Sequence, residues 1–297
     1  MKLYKRVFPA LIVFLIVLTV AGIIYVVRFQ EEPSVIKEPA KKTKKIIPRK
    51  AAVVPKKEKA KTLPSKPVSL RQVAIIIDDI GYDLKQVQEL LKINADITFA
   101  ILPLCPHTRE AAEMLHKAHR ETLLHLPMEP LSYPHEKPGP GALFTDMNNE
   151  EIIFQLEKDI AEVPYISGVN NHMGSKFMTD EKKLTLVFNK LKSKKLFFVD
   201  SRTSSDTKTF VIANKVGLPV ASRKIFLDNN RDYKEIYNIL VGIANKNGDN
   251  SPLIIIGHPY PETIQAVNDA VKVLKEQEIE IVPVSRIVKN KTYPVRY

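Results

Sequence analysis

Residues 73–101 read VAIIIDDIGYDLKQVQELLKINADITFAI. Val73–Ile77 is a short, continuously apolar, β-branched run, which predicts a strand buried on both faces. An amphipathic stretch of helical period follows at Leu84–Lys92, and Ile97–Ile101 reads as a second strand. Apolar strands that alternate with helices in this way argue for a parallel sheet covered by helices.

The same rhythm runs outward to the end of the chain. Further strands are expected at Thr122–Leu124, Ile166–Val169, Leu196–Val199, Pro219–Ala221, Leu253–Ile256 and Glu280–Val284. Helices are expected at Thr108–His119, Glu150–Glu162, Glu181–Lys192, Lys208–Val216, Tyr233–Asn247 and Glu262–Gln277. Thr179, followed by Asp180 and Glu181, and Asp232 read as helix N-caps. Seven or eight such units within residues 70–297 fit a closed (β/α) barrel, with an open doubly wound sheet as the alternative. The segment Pro127–Met147, which carries PHEKPGPG, breaks the rhythm and reads as a binding loop or a disordered one.

Upstream of this body the composition changes. Residues 7–27 contain no charge and as a helix would span roughly 30 Å, enough to cross a bilayer. Lys2, Lys5 and Arg6 precede the run and favour a cytoplasmic N-terminus. Residues 1–30 are therefore expected to be a single-pass membrane anchor, with a cleaved signal peptide as the rival, and the body is expected outside the cytoplasm. Residues 31–69 hold six prolines and 12 Lys/Arg, with no aromatic residue, and read as a disordered tether that could meet anionic lipid or an anionic wall polymer. Together the two segments carry the whole net charge of +12, so residues 70–297 are neutral. A neutral body on a basic leash excludes a nucleic-acid-binding fold. The single cysteine excludes a disulfide framework, and no glycine-rich phosphate loop is present.

In either architecture the site forms at the carboxyl ends of the strands. There the sequence places Asp78 and Asp79 (IIIDDIG), His125 and Glu129 (LLHLPME), Asn170, Asn171, His172 and Ser175 (VNNHMGS), Asp200, Arg202, Thr203 and Ser204 (VDSRTS), and His258 (IIIGHP). Five strand ends carry a carboxylate or an imidazole, whereas the strand bodies carry almost none. His107, His116, His119 and His135 fall on a helix or in the long loop, and Cys105 reads as a small buried residue.

Taken in order, IIIDDIG, LLHLPME, NNHMGS, DSRTS and IIIGHP resemble the divergent polysaccharide deacetylases, a branch of the carbohydrate deacetylase superfamily, over residues from about 72 to 288. The resemblance implies an irregular seven-stranded (β/α) barrel, a divalent metal, and removal of N-acetyl groups from amino sugars of an acetylated glycan. It matches Asp78 to a general base, Asp79 and His125 to metal ligands and His258 to a general acid. In the second motif Glu129 stands where a histidine is usual, and Asn171-His172-Met173-Gly174-Ser175 replaces an Arg-x-Pro-x-Gly motif. Either His172 or Glu129 fills the remaining ligand place. Asp200 would orient His258 or His172, and Asn171 and Arg202 would contact substrate, with Arg202 binding or neutralising a carboxylate. Asp, His and Glu ligands suit zinc. Tyr82, Tyr133 and Tyr260 could supply the sugar-stacking surface of the absent tryptophan. A catalytically inactive, wall-associated glycan-binding protein on the same barrel is the alternative function.

Overall fold

The computed structural model describes residues 71–243 and 251–289. The membrane anchor expected over 1–30 and the tether expected over 31–69 lie outside the described residues. Among those described, no helix is long and apolar enough to cross a membrane.

The described chain runs β1 (Arg71–Ile80), α1 (Leu84–Leu91), β2 (Thr98–Ile101), α2 (Thr108–Lys117), β3 (Thr122–Met128), α3 (Asn149–Glu162) and β4 (Gly168–Met173). It continues through α4 (Glu181–Ser193), β5 (Phe197–Asp200), α5 (Thr209–Val216), β6 (Val220–Ser222), β7 (Ile225–Phe226) and α6 (Tyr233–Val241). It closes with β8 (Leu253–Gly257), α7 (Pro261–Glu276), β9 (Ile279–Ile281) and α8 (Val284–Lys289). Asp232 caps α6, whereas the cap of α4 is Asp180 and not Thr179, which ends a 3-10 turn one residue earlier.

All the ladders are parallel, in the order β6-β5-β4-β3-β2-β1-β8-β7, with β9 added against the start of β1. The sheet curls into a half-barrel of the expected irregular (β/α) type, left open along a seam between β6 and β7. Only two residues separate β6 from β7, and parallel neighbours need a crossover of a dozen or more. The chain instead steps across the seam: Arg223 N–H donates to Asp200 O at the end of β5, and Lys224 N–H donates to Ile254 O of β8.

Alternation along β1 divides the core. Val73, Ile75 and Ile77 pack outward under the helices, while Ala74 and Ile76 face the inside of the curl with Ala100, Leu123, Val199 and Ile256. The inner cluster also takes Val284, Ile287 and Val288 of α8. The start of that helix is held by Thr98 Oγ1 and Glu121 Oε2, at the amino ends of β2 and β3. α8 thus plugs the bottom of the half-barrel and leaves the carboxyl end open.

The long Pro127–Met147 excursion is an ordered loop folded back on β3, with Leu143 N–H on Pro127 O and Glu129 N–H on Leu143 O. Beneath it Asp159 of α3 is fully buried; Gln155 donates to its Oδ1, and its Oδ2 has no partner among the described residues. Gly141 lies over this carboxylate at φ +82°, and a Cβ there would stand 2.6 Å from Asp159 Oδ1, so glycine is required. Burial pushes the Asp159 carboxyl up to about 7, with partial relief from Gln155. The folded state therefore keeps a proton that the unfolded chain releases, and this stabilisation is lost as pH rises from about 4 through about 7. Asp159→Asn is expected to stabilise the fold by about 1–2 kcal/mol at pH 5 and by about 3–4 kcal/mol at pH 8, read from urea midpoints. An equal effect at both pH values would clear the buried charge of responsibility.

Candidate metal centre

Successive strand side chains point to opposite faces, so Asp78 and Asp79 should diverge. They do not, because β1 carries an extra residue between Ile77 and Ile80 relative to β2, and Asp79 sits in the left-handed region at φ 57°. This bulge re-aims both carboxylates toward the open end of the half-barrel. On β3 and β4 regular geometry suffices: His125 pairs in register with Asn170, and His172, two residues on, shares its face.

Three ligand atoms converge there. Asp79 Oδ1 lies 3.2 Å from His125 Nε2 and 3.1 Å from His172 Nδ1, and the two nitrogens are 3.2 Å apart. A tetrahedral ion with bonds of about 2.0–2.1 Å has ligand–ligand edges of about 3.3–3.4 Å, close to this triangle. The hydrogen bonds around the triangle give the same answer. His125 Nδ1–H donates to Asn170 Oδ1 at 2.9 Å, and Asn170 Nδ2 donates to Asp78 Oδ1 at 2.8 Å. With Nδ1 donating, a neutral His125 turns the Nε2 lone pair toward Asp79 Oδ1, a buried oxygen 3.2 Å away. Facing lone pairs at this distance need a cation between them, either a metal ion or a proton on the imidazole, and the raised proton affinity of His125 reflects the same need. Burial opposes ionisation of Asp79, but the two imidazoles outweigh it and hold its carboxyl far below the usual range. Burial likewise works against a charged His125, and the Asp78 and Asp79 carboxylates reverse this, raising it. Asp78, which is nearly inaccessible, is pushed upward by burial, partly countered by His125 and His258.

His258 completes the cluster, its Nε2 3.7 Å from Asp79 Oδ2. Its Nδ1 pairs with Asp228 Oδ1 at 3.0 Å, and Asp228 Oδ2 accepts from His258 N and Thr263 Oγ1. Burial disfavours the imidazolium, but the bond to Asp228 and the Asp79 and Asp78 charges raise its affinity for a proton. Phe226 and Tyr260 flank the ring at 5.3 and 5.6 Å.

Other expected site residues are placed differently. Glu129 does not join the triangle: its Oε2 accepts from Thr145 N and Oγ1, and its Oε1 from Lys176 Nζ at 2.8 Å. It ties the long loop to the β4–α4 connection instead. Asp200 orients neither histidine; its oxygens accept from Arg202 N and Thr207 Oγ1, and so shape its own loop. Asn171 commits its amide to Met173 O, Thr203 Oγ1 and Ser201 N. Arg202 is exposed at the seam between β6 and β7. Tyr260 lies beside His258 under the Arg231 guanidinium, 3.7 Å above its ring, while Tyr133 packs on Phe144 in the long loop. Asp228 was not anticipated; it follows the apolar Ile225-Phe226-Leu227, a strand too short to read, and Asn170 was not anticipated as the bridge between Asp78 and His125.

The uncharacterized protein YibQ of Escherichia coli (strain K12) is 36% identical over 211 residues, covering 70% of this chain and 64% of that protein. The chain thus spans less than two thirds of that relative's length. An uncharacterized protein of Haemophilus influenzae is 31% identical over 222 residues, covering 74% of this chain and 77% of that one. The crystal structure of the uncharacterized protein ATU2773 from Agrobacterium tumefaciens C58 shares the fold, with a TM-score of 0.69 at 24% identity over 76% of this chain and 92% of that chain. The family model of the divergent polysaccharide deacetylases matches residues 75–288, from the middle of β1 into α8. The chain belongs to the divergent polysaccharide deacetylase family.

Proposed function

We propose that this protein is a divalent-metal-dependent N-deacetylase acting on acetylated amino sugars of an envelope glycan, held to the membrane by its N-terminal segment with the half-barrel outside the cytoplasm. The observation that carries the reading is the triangle of Asp79, His125 and His172 ligand atoms, beside Asp78 and the His258–Asp228 pair. The three ligands suit zinc and leave a coordination place open. A divalent ion held there would acidify water toward neutral pH and polarise an amide carbonyl.

The protein's own groups supply the remaining steps. Asp78, whose affinity for a proton is raised by burial, takes a proton from the attacking water. Asn170 holds Asp78 and His125 in fixed relation, so base and ligand stay aligned. His258, kept protonated by Asp228, gives its proton to the amide nitrogen as the C–N bond breaks. Acetate and a free amine result. Tyr260, beside His258, offers a face for a sugar ring.

The test is acetate release from N-acetylglucosamine oligomers by the full-length protein in detergent. Release should stop with chelator and return with zinc, with about one ion bound per chain. A zinc-loaded protein that binds the oligomers and frees no acetate would leave a glycan-binding protein in its place.

A further inference from the structure

The seam left where β6 and β7 fail to pair opens a cavity of about 680 Å³, lined by Arg202, Arg223, Lys224, Ser204, Ser205, Ser222 and Phe210. Among the described residues none of the three cations has a carboxylate within ion-pair distance. The nearby acids are otherwise engaged: Asp200 accepts from Arg202 N and Thr207, and Asp206 accepts from Ser205 Oγ at the rim.

Arg223 is fixed in place. Its Nε donates to Ser201 O at 2.7 Å, its Nη2 to Arg202 O at 3.2 Å, and its guanidinium lies 4.8 Å above the Phe226 ring. It is half-buried, and that burial weakens its hold on its charge, against the pull of Asp78 and Asp200. A half-desolvated guanidinium, already oriented and lacking a paired anion, is arranged to receive one. The cavity also adjoins the centre. Ser201, whose carbonyl holds Arg223, has its hydroxyl 3.3 Å from Asn170 Nδ2, the amide that also bonds Asp78.

We infer that the seam cavity is an anion subsite, and that the glycan acted on carries a carboxylate or phosphate substituent beside the acetamido sugar. Arg223 and Arg202 present forked donors to that group, and Lys224 with the Ser204 and Ser222 hydroxyls closes around it. This rests on the deacetylase reading, because it assigns the anion to the same glycan.

Calorimetric titration of the full-length, chelator-treated protein tests it with three ligands: neutral diacetylchitobiose, the same disaccharide bearing a lactyl ether carboxylate, and its 6-phosphate. At least one anionic ligand should bind about 10-fold or more tighter than the neutral one, as expected for charge-assisted hydrogen bonds. The tighter of the two names the substituent. That preference should shrink to about 2-fold or less in Arg202→Gln/Lys224→Gln and in 0.5 M salt, and should persist in Lys224→Arg. Equal affinities, or no binding of any of the three, overturn the subsite. If acetate is nonetheless released from the neutral sugar, the deacetylase reading stands without it. A clear anion preference with no acetate released by zinc-loaded protein would keep the subsite and remove the deacetylase reading.

Discussion

Asp79→Asn is expected to lose most of the bound zinc and to reduce kcat/KM for acetate release roughly 1,000-fold, or about 4 kcal/mol of transition-state stabilisation. The carboxylate contributes the oxygen corner of the triangle and its only formal negative charge, so an amide there binds a divalent ion weakly. Folding should be spared. Asp79 occupies a left-handed backbone position at φ 57°, and asparagine tolerates that region as readily as aspartate. Glu129→Gln is the contrast. Its carboxylate faces Lys176 and Thr145, so this variant should keep its zinc and most of its turnover while melting at lower temperature. Metal content after dialysis, set beside thermal melts, separates the two. Full zinc occupancy and turnover in Asp79→Asn would end the assignment.

The β/α rhythm and the crowding of polar residues at strand tips were legible because both follow from period and burial. VAIIIDDIG shows the first strand and its acidic tip, and His125 and His172 lie on the matching tips of β3 and β4. What pattern could not show was direction. Read as a regular strand, Asp78 and Asp79 point apart, and only the bulge with its left-handed residue brings them to one side. Strand-tip position also does not say whether a side chain faces the cleft or its own loop. Asp200 turns back to Arg202 N and Thr207, and Glu129 turns to Thr145 and Lys176; both choices depend on donors supplied by loops without periodicity. Asp228 was hidden for the opposite reason. The two-residue β7 that presents it is stable only because β8 is already there to pair with it. The seam has the same origin, since the break between β6 and β7 is a matter of which edge each half of one extended segment joins.

Asp228 is where the second large effect is expected. His258 must carry a proton to release the amine, and Asp228 both fixes its ring and stabilises its charge. In Asp228→Asn one carboxylate oxygen becomes an NH2 group. Turned toward His258 Nδ1, that group faces the Nδ1–H the imidazolium needs; turned the other way, it meets the His258 backbone N–H and competes with the Thr263 hydroxyl for space. Either arrangement disfavours the protonated ring. His258→Ala and Asp228→Asn should each lower kcat by about 100- to 10,000-fold while zinc stays bound, because neither side chain belongs to the triangle. The pH profile distinguishes loss of the acid from a general disturbance. Wild-type activity should fall on the alkaline side as His258 loses its proton, at a pH above the ordinary histidine range because Asp228 raises its affinity. In Asp228→Asn the residual activity should fall at a lower pH than in wild type, and in His258→Ala that limb should vanish. An alkaline limb unmoved by Asp228→Asn would show that the leaving amine takes its proton from another group, even if the rate had dropped.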